Sequence, residues 1–252
     1  MTHRLRHAAL ALTVLAAVAA APAALSAQGY RAPRTADGKP DLNGIWQALN
    51  TAHADLQDHG ALPGVPASPG VVDGNEIPYQ PGALAKKKEN LANSATADPL
   101  AGCFLPGVPR ATYLPCPFQI AQTPSAVAFL YTFRRAPRLV YTDGSKHPEG
   151  LVFWMGDSRG RWEGDTLVVD VTSFNDKTWF DSAGNFHSEA LHVVERYTRT
   201  GPDHLLYEAT IEDPNVFTRP WKISMPLYRR LEKNLQILEY ECVEFLERQT
   251  AR

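Results

Sequence analysis

The residues best suited to chemistry crowd into 156–196, which reads GDSRGRWEGDTLVVDVTSFNDKTWFDSAGNFHSEALHVVER. His187 and Glu189 stand two apart, so on a strand that already runs at His187 their side chains share a face. A carboxylate beside an imidazole favours the protonated ring and orients it as a general acid or base near neutral pH. With Asp170, on the wetter face of the segment 166–172, they make the candidate catalytic set; a hydrogen-bonded surface pair at a strand entry is the competing reading. Trp162, Asn175, Asp176, Lys177 and Trp179 are the candidate ligand contacts, two aromatic faces for stacking around a polar loop.

Two other chemistries are weighed on the same residues. His187, Glu189 and His192 are ligand types used by zinc, iron or manganese. On a regular strand, however, His192 points to the opposite face, so no metal and no cofactor is expected. Gly156-Asp157-Ser158-Arg159-Gly160 matches the G-x-S-x-G nucleophile elbow, which needs a strand before the serine and a helix after it. Arg161 to Val169 reads instead as a tight turn into a strand.

These residues must be positioned by a β framework. Short β-branched and aromatic runs fall at 118–123, 126–133, 138–142, 166–172, 190–199, 204–212, 221–228 and 235–242, with turn signals such as Asp143-Gly144-Ser145 and Gly201-Pro202-Asp203 between them. Nothing between them carries the 3.6-residue period of a crossover helix, so an antiparallel meander of about eight strands is expected, as a barrel or a sandwich. Before it, 28–117 reads as an irregular Pro- and Gly-rich arm packed on the β domain (118–252). The arm contributes one strand at Leu42 to Trp46 and one short helix at 81–93, started by Pro81 and stopped at Asn93. Five prolines in 98–117 argue against helix and interior strand there. Trp46 and Trp221 are assigned to the core.

The N-terminus bounds the setting. Arg4 and Arg6 precede an Ala/Leu/Val run ending in Ser26 and Ala27, the layout of a cleavable signal peptide over 1–27. The expected location is therefore the periplasm or the exterior, with no membrane insertion after cleavage. The formal charge of −2 becomes more negative once Arg4 and Arg6 are removed, which argues against nucleic acid as a partner. The three cysteines, Cys103, Cys116 and Cys242, fit one disulfide and one free thiol in an oxidising compartment.

The strings GDSRGRWEGDTLVVDVTSFNDKTWFD and HSEALHVVERY, with ADGKPDLNGIWQ, CFLPGVPR and PFQIAQTP, resemble a group of signal-peptide-bearing bacterial proteins. The resemblance spans nearly the whole mature chain and implies one continuous exported domain, without implying an activity. It also implies a Cys103–Cys242 disulfide with Cys116 free. After Cys242 this chain reads Val243-Glu244-Phe245-Leu246, where the group has Cys-x-Glu-Gly-Asn. Gly44-Ile45-Trp46 resembles the Gly-x-Trp that opens lipocalin-type barrels, which implies a lipocalin-like barrel over a sandwich. Three functions follow as expectations: a barrel that binds a small organic molecule in its mouth or lumen, a cofactor-free lyase, isomerase or hydrolase using His187 and Glu189 for proton transfer, or a structural or partner-binding domain.

Overall fold

A computed structural model describes residues 30–238 and Tyr240; the expected signal peptide and Cys242 lie outside them. Nine strands form a closed barrel in chain order: β1 (Gly44–Ala48), β2 (Phe118–Gln122), β3 (Ala126–Tyr131), β4 (Pro137–Tyr141), β5 (Asp157–Glu163), β6 (Thr166–Thr172), β7 (His192–Gly201), β8 (His204–Glu212) and β9 (Trp221–Arg229). The last strand closes antiparallel on the first, at Trp46↔Arg229 and Ala48↔Leu227.

The expected barrel is present, but it is neither wholly antiparallel nor built from eight strands. Directions cannot alternate all the way round an odd-numbered ring, so at least one neighbouring pair must run parallel. That pair is β4 and β5, matched at Val140↔Ser158 and Tyr141↔Arg159. The segment from Thr142 to Gly156 is the crossover that a parallel pair requires.

Three strand boundaries depart from the sequence reading. β5 lies where a turn was expected: one glycine and four charges mask a period of two, with Ser158, Gly160 and Trp162 inward and Asp157, Arg159, Arg161 and Glu163 outward. No strand forms over 235–238, and Tyr240 makes an isolated parallel bridge to Phe133. β7 starts at His192, because Glu189 and Ala190 form a turn.

Alternate residues of each strand fill the interior. Trp46, Phe118, Phe129, Tyr197 and Tyr207 are fully buried, with ring centroids 5.1 Å apart for Phe129–Tyr197 and 5.0 Å for Tyr197–Tyr207. Side chains of this size each gain about 1.5–3 kcal/mol from burial. The lumen is thus a packed core. β1 is stapled into the ring by Trp46, whose Nε1–H donates to Leu42 O (2.9 Å) and whose ring lies under the guanidinium groups of Arg199 (5.9 Å) and Arg229 (5.6 Å). Gly44 is required beside it, since it has φ +142° and an added Cβ would sit 3.0 Å from Arg229 Nε.

The arm carries the expected helix, α1 (Pro81–Ala92), with Pro81 in its first turn and Asn93 as its C-cap, and a further turn of helix, α2 (Ser94–Ala97). The proline-rich stretch is not free of helix: Arg110–Tyr113 forms a 3-10 turn, buried throughout.

Candidate functional site at the parallel seam

The parallel pairing of β4 and β5 involves only the end of β4, and away from it the two chains part. The gap is a cleft of about 410 Å³ walled by Leu105, Pro137, Leu139, Tyr141 and 152–156, with Arg138, Asp157 and Ser158 at its polar base. Its walls are apolar yet open to solvent: Leu139 is 49% exposed and Val152 61%. The outward residues of β3 and β4, Ala126, Ala128, Leu130, Pro137, Leu139 and Tyr141, are all apolar and face one another in register. Outer faces of barrels are ordinarily wet, so an exposed apolar patch beside a cleft marks a contact surface. Trp154 is fixed by a parallel stack on Phe104 at 5.0 Å.

Gly156 sets the geometry at the cleft's end. Its φ is +66°, and an added Cβ would lie 2.7 Å from Val171 Cγ1 and 2.8 Å from Phe174, so only glycine permits this approach of the crossover to β6. The next residue, Asp157, begins β5 and faces out. Its Oδ1 accepts from Arg159 Nε (2.6 Å) and from His147 Nδ1 (2.7 Å), and its Oδ2 accepts from Arg159 Nη2 (2.8 Å). The other nitrogen of His147, Nε2, lies 2.9 Å from Asp170 Oδ1, and Asp170 Oδ2 lies 3.0 Å from His192 Nε2. An alternating array, Arg159–Asp157–His147–Asp170–His192, therefore crosses the outer face of β5, β6 and β7.

Its chemistry follows from a count of donors. Carboxylates only accept, and a neutral imidazole offers one N–H. His147 satisfies both aspartates only when the array holds one additional proton, on the ring or on a carboxylate. The array can thus hold and pass a proton along a line that ends at the cleft. Arg159 is further tied by Nη1 to Ser145 Oγ (2.5 Å) and stacks over Tyr141 at 4.7 Å, joining the array to the apolar wall.

Beneath the cleft, Arg138 Nε donates to Ser158 Oγ (2.9 Å), and its two terminal nitrogens pair with Glu195. Glu195 Oε1 also accepts from Tyr197 and Tyr207 OH, each at 2.9 Å. Burial pushes the pKa of Arg138 down, but the charges of Glu195, Tyr131 and Tyr197 and the hydrogen bond to Glu195 together outweigh it and hold the guanidinium well above its ordinary value. Ser158 is inside the barrel, 2% exposed and followed by strand, so the G-x-S-x-G string is a strand entry and not a nucleophile elbow.

Of the expected catalytic set, Asp170 lies in the array, but its partners are His147 and His192. His187 precedes the strand, is 2% exposed, and donates Nδ1–H to Ser188 O (2.9 Å) while Nε2 accepts from Thr178 Oγ1 (2.7 Å). That pairing is complete for a neutral ring, and burial pushes its pKa below the usual imidazole range. Glu189 is exposed in the turn that follows. The structure does not bring Glu189 to His187, because the strand that would align them starts only at His192. Trp162 packs on the end of the core. Trp179 bridges to Phe186, and Asn175, half of an Asx turn, accepts from Lys177 N (3.1 Å) while Asp176 and Lys177 stay exposed. These contacts build the loop after β6 and lie outside the cleft wall. His147 was missed: in the sequence it is one histidine in a turn-rich crossover, and only the parallel pairing lays it over β5 and β6.

Neither a protein-family model nor a curated protein matches this chain.

Proposed function

We propose that the protein, exported by its N-terminal segment to the periplasm or exterior, binds a small, flat, apolar organic molecule in the seam cleft. The observation that carries this reading is the solvent-open apolar wall of Leu139, Tyr141 and Val152, closed at one end by the anchored carboxylate of Asp157. The packed interior moves the reading from the lumen to the seam. Nile red, a neutral flat fluorophore, should brighten on titration into the mature protein. Leu139→Asp places a charge on the wall without touching the core, and should weaken that binding by at least about tenfold, or 1.4 kcal/mol. Equal binding by both proteins would remove the cleft from consideration.

The proton-holding array favours a second reading, a cofactor-free lyase, isomerase or hydrolase acting on the bound molecule, with His147 and Asp170 in place of the pair His187 and Glu189. For a molecule found to be turned over, His147→Gln should leave affinity within about twofold and lower kcat by about 10²–10⁴. A variant of unchanged kcat rejects this reading. Among the described residues Cys116 is free and Cys103 is buried. The Cys103–Cys242 disulfide is part of the exported form we propose, and a crosslink containing Cys116 in non-reducing peptide maps would overturn it.

A further inference from the structure

On another face, arm residues meet the β3–β4 turn around a cavity of about 360 Å³, within the range of small-molecule sites. Leu100, Leu114, Cys116 and Phe133 supply an apolar lining, and Arg110, His53 and Ser182 the polar part. Arg110 is 1% exposed and grips Asp98 through two 2.7 Å bonds, Nη1 to Oδ1 and Nη2 to Oδ2; Nη2 also donates to Ser182 Oγ (3.0 Å). The guanidinium is thus already neutralised, but not fully bonded. Its Nε–H, and Nδ1 of His53, have no hydrogen-bond partner among the described residues. A buried donor left without a partner is costly, and a guanidinium can only donate, so what is missing is an acceptor.

We infer that this cavity is a second small-molecule site, taking an uncharged apolar compound that carries one acceptor oxygen, a ketone, ester or amide carbonyl, beside Arg110 and His53. A carboxylate fits less well. Asp98 already cancels the charge of Arg110, and His53 is pushed below its usual range, first by burial and then by the charge of Arg110, so no cation is spare. The site is independent of the seam cleft, which shares no lining residue with it.

Cys116 makes the test direct, because it is a free thiol in the lining. The probes are para-fluoroacetophenone, a neutral carbonyl, and para-fluorobenzoate, its anionic counterpart, followed by fluorine NMR on the mature protein. The ketone should bind, and saturating ketone should slow alkylation of Cys116 by N-ethylmaleimide several-fold. Cys116→Trp fills the cavity and should weaken ketone binding by at least about tenfold, whereas Leu139→Asp should leave it unchanged; benzoate should bind at least about tenfold more weakly than the ketone. Unprotected alkylation at saturation overturns the inference even if Cys116→Trp does not fold. So does a ketone displaced by Leu139→Asp but not by Cys116→Trp, or tighter binding of benzoate.

Discussion

Glu195→Ala is expected to lower folding stability by about 3–5 kcal/mol, the cost of leaving a buried charge without its partner. Arg138 and Glu195 are 3% and 0% exposed inside a ring of aromatic side chains, and Arg138 lies over the Phe129 ring at 5.5 Å. Removing the carboxylate strands the guanidinium and deprives the hydroxyls of Tyr197 and Tyr207 of their acceptor. The loss extends to the seam, since the same guanidinium ties β4 to Ser158 of β5 where the two strands share little pairing. Urea melts of the single and double variants check this. Arg138→Met with Glu195→Leu removes both charges together and should regain much of the loss, because desolvation of an ion pair can exceed its attraction. A loss below about 1 kcal/mol in Glu195→Ala would mean that water reaches the pair, and the packed lumen would have to be given up.

The barrel was largely legible because most strands bury one face and wet the other. In β8, Leu205, Tyr207, Ala209 and Ile211 point inward and are fully buried, as their alternation requires. β5 was illegible for the opposite reason: its inward positions are Ser158, Gly160 and Trp162, of which only the last is large and apolar enough to mark a face. Gly160 is needed there, since an added Cβ would come within 2.6 Å of Val140 Cγ1. Missing β5 also hid the parallel seam and its cleft. In the candidate site, Asp170 was legible as an outward carboxylate on a hydrophobic strand. His147 was not, because the array joins groups on a crossover and three strands whose lateral order is a tertiary fact. His187 illustrates the converse error: an imidazole next to acidic residues in sequence is, in space, enclosed by the rings of Phe174 and Phe180 at 5.8 Å and 5.4 Å.

Asp181 should give the protein a stability that declines as pH rises from about 4 to about 7. The carboxyl is completely buried, and burial pushes its pKa from 3.8 up to about 7, with Asp55 adding to the rise, against the lowering by Asn185 and by the backbone N–H of Leu56. In the unfolded chain it loses its proton near 3.8; in the folded chain it keeps it until about 7. Between those values the native state binds more protons than the unfolded one. Its contribution is therefore full below the lower value and gone above the upper. A displacement of about three pH units, at about 1.4 kcal/mol each, sets the span at no more than about 4 kcal/mol. The raw stability curve sums every group that titrates in the folded and unfolded chain, so it does not isolate Asp181. The comparison that isolates Asp181 is wild type against Asp181→Asn, melted in urea at half-unit steps. The variant adds a constant offset, since one of its amide hydrogens now faces the N–H groups that the carboxyl accepted. The difference between the two curves should slope through the whole window and flatten on both sides of it. A flat difference throughout would mean that the donors from Leu56 and Asn185 hold the group ionised, and that this corner of the arm contacts an ordinary carboxylate.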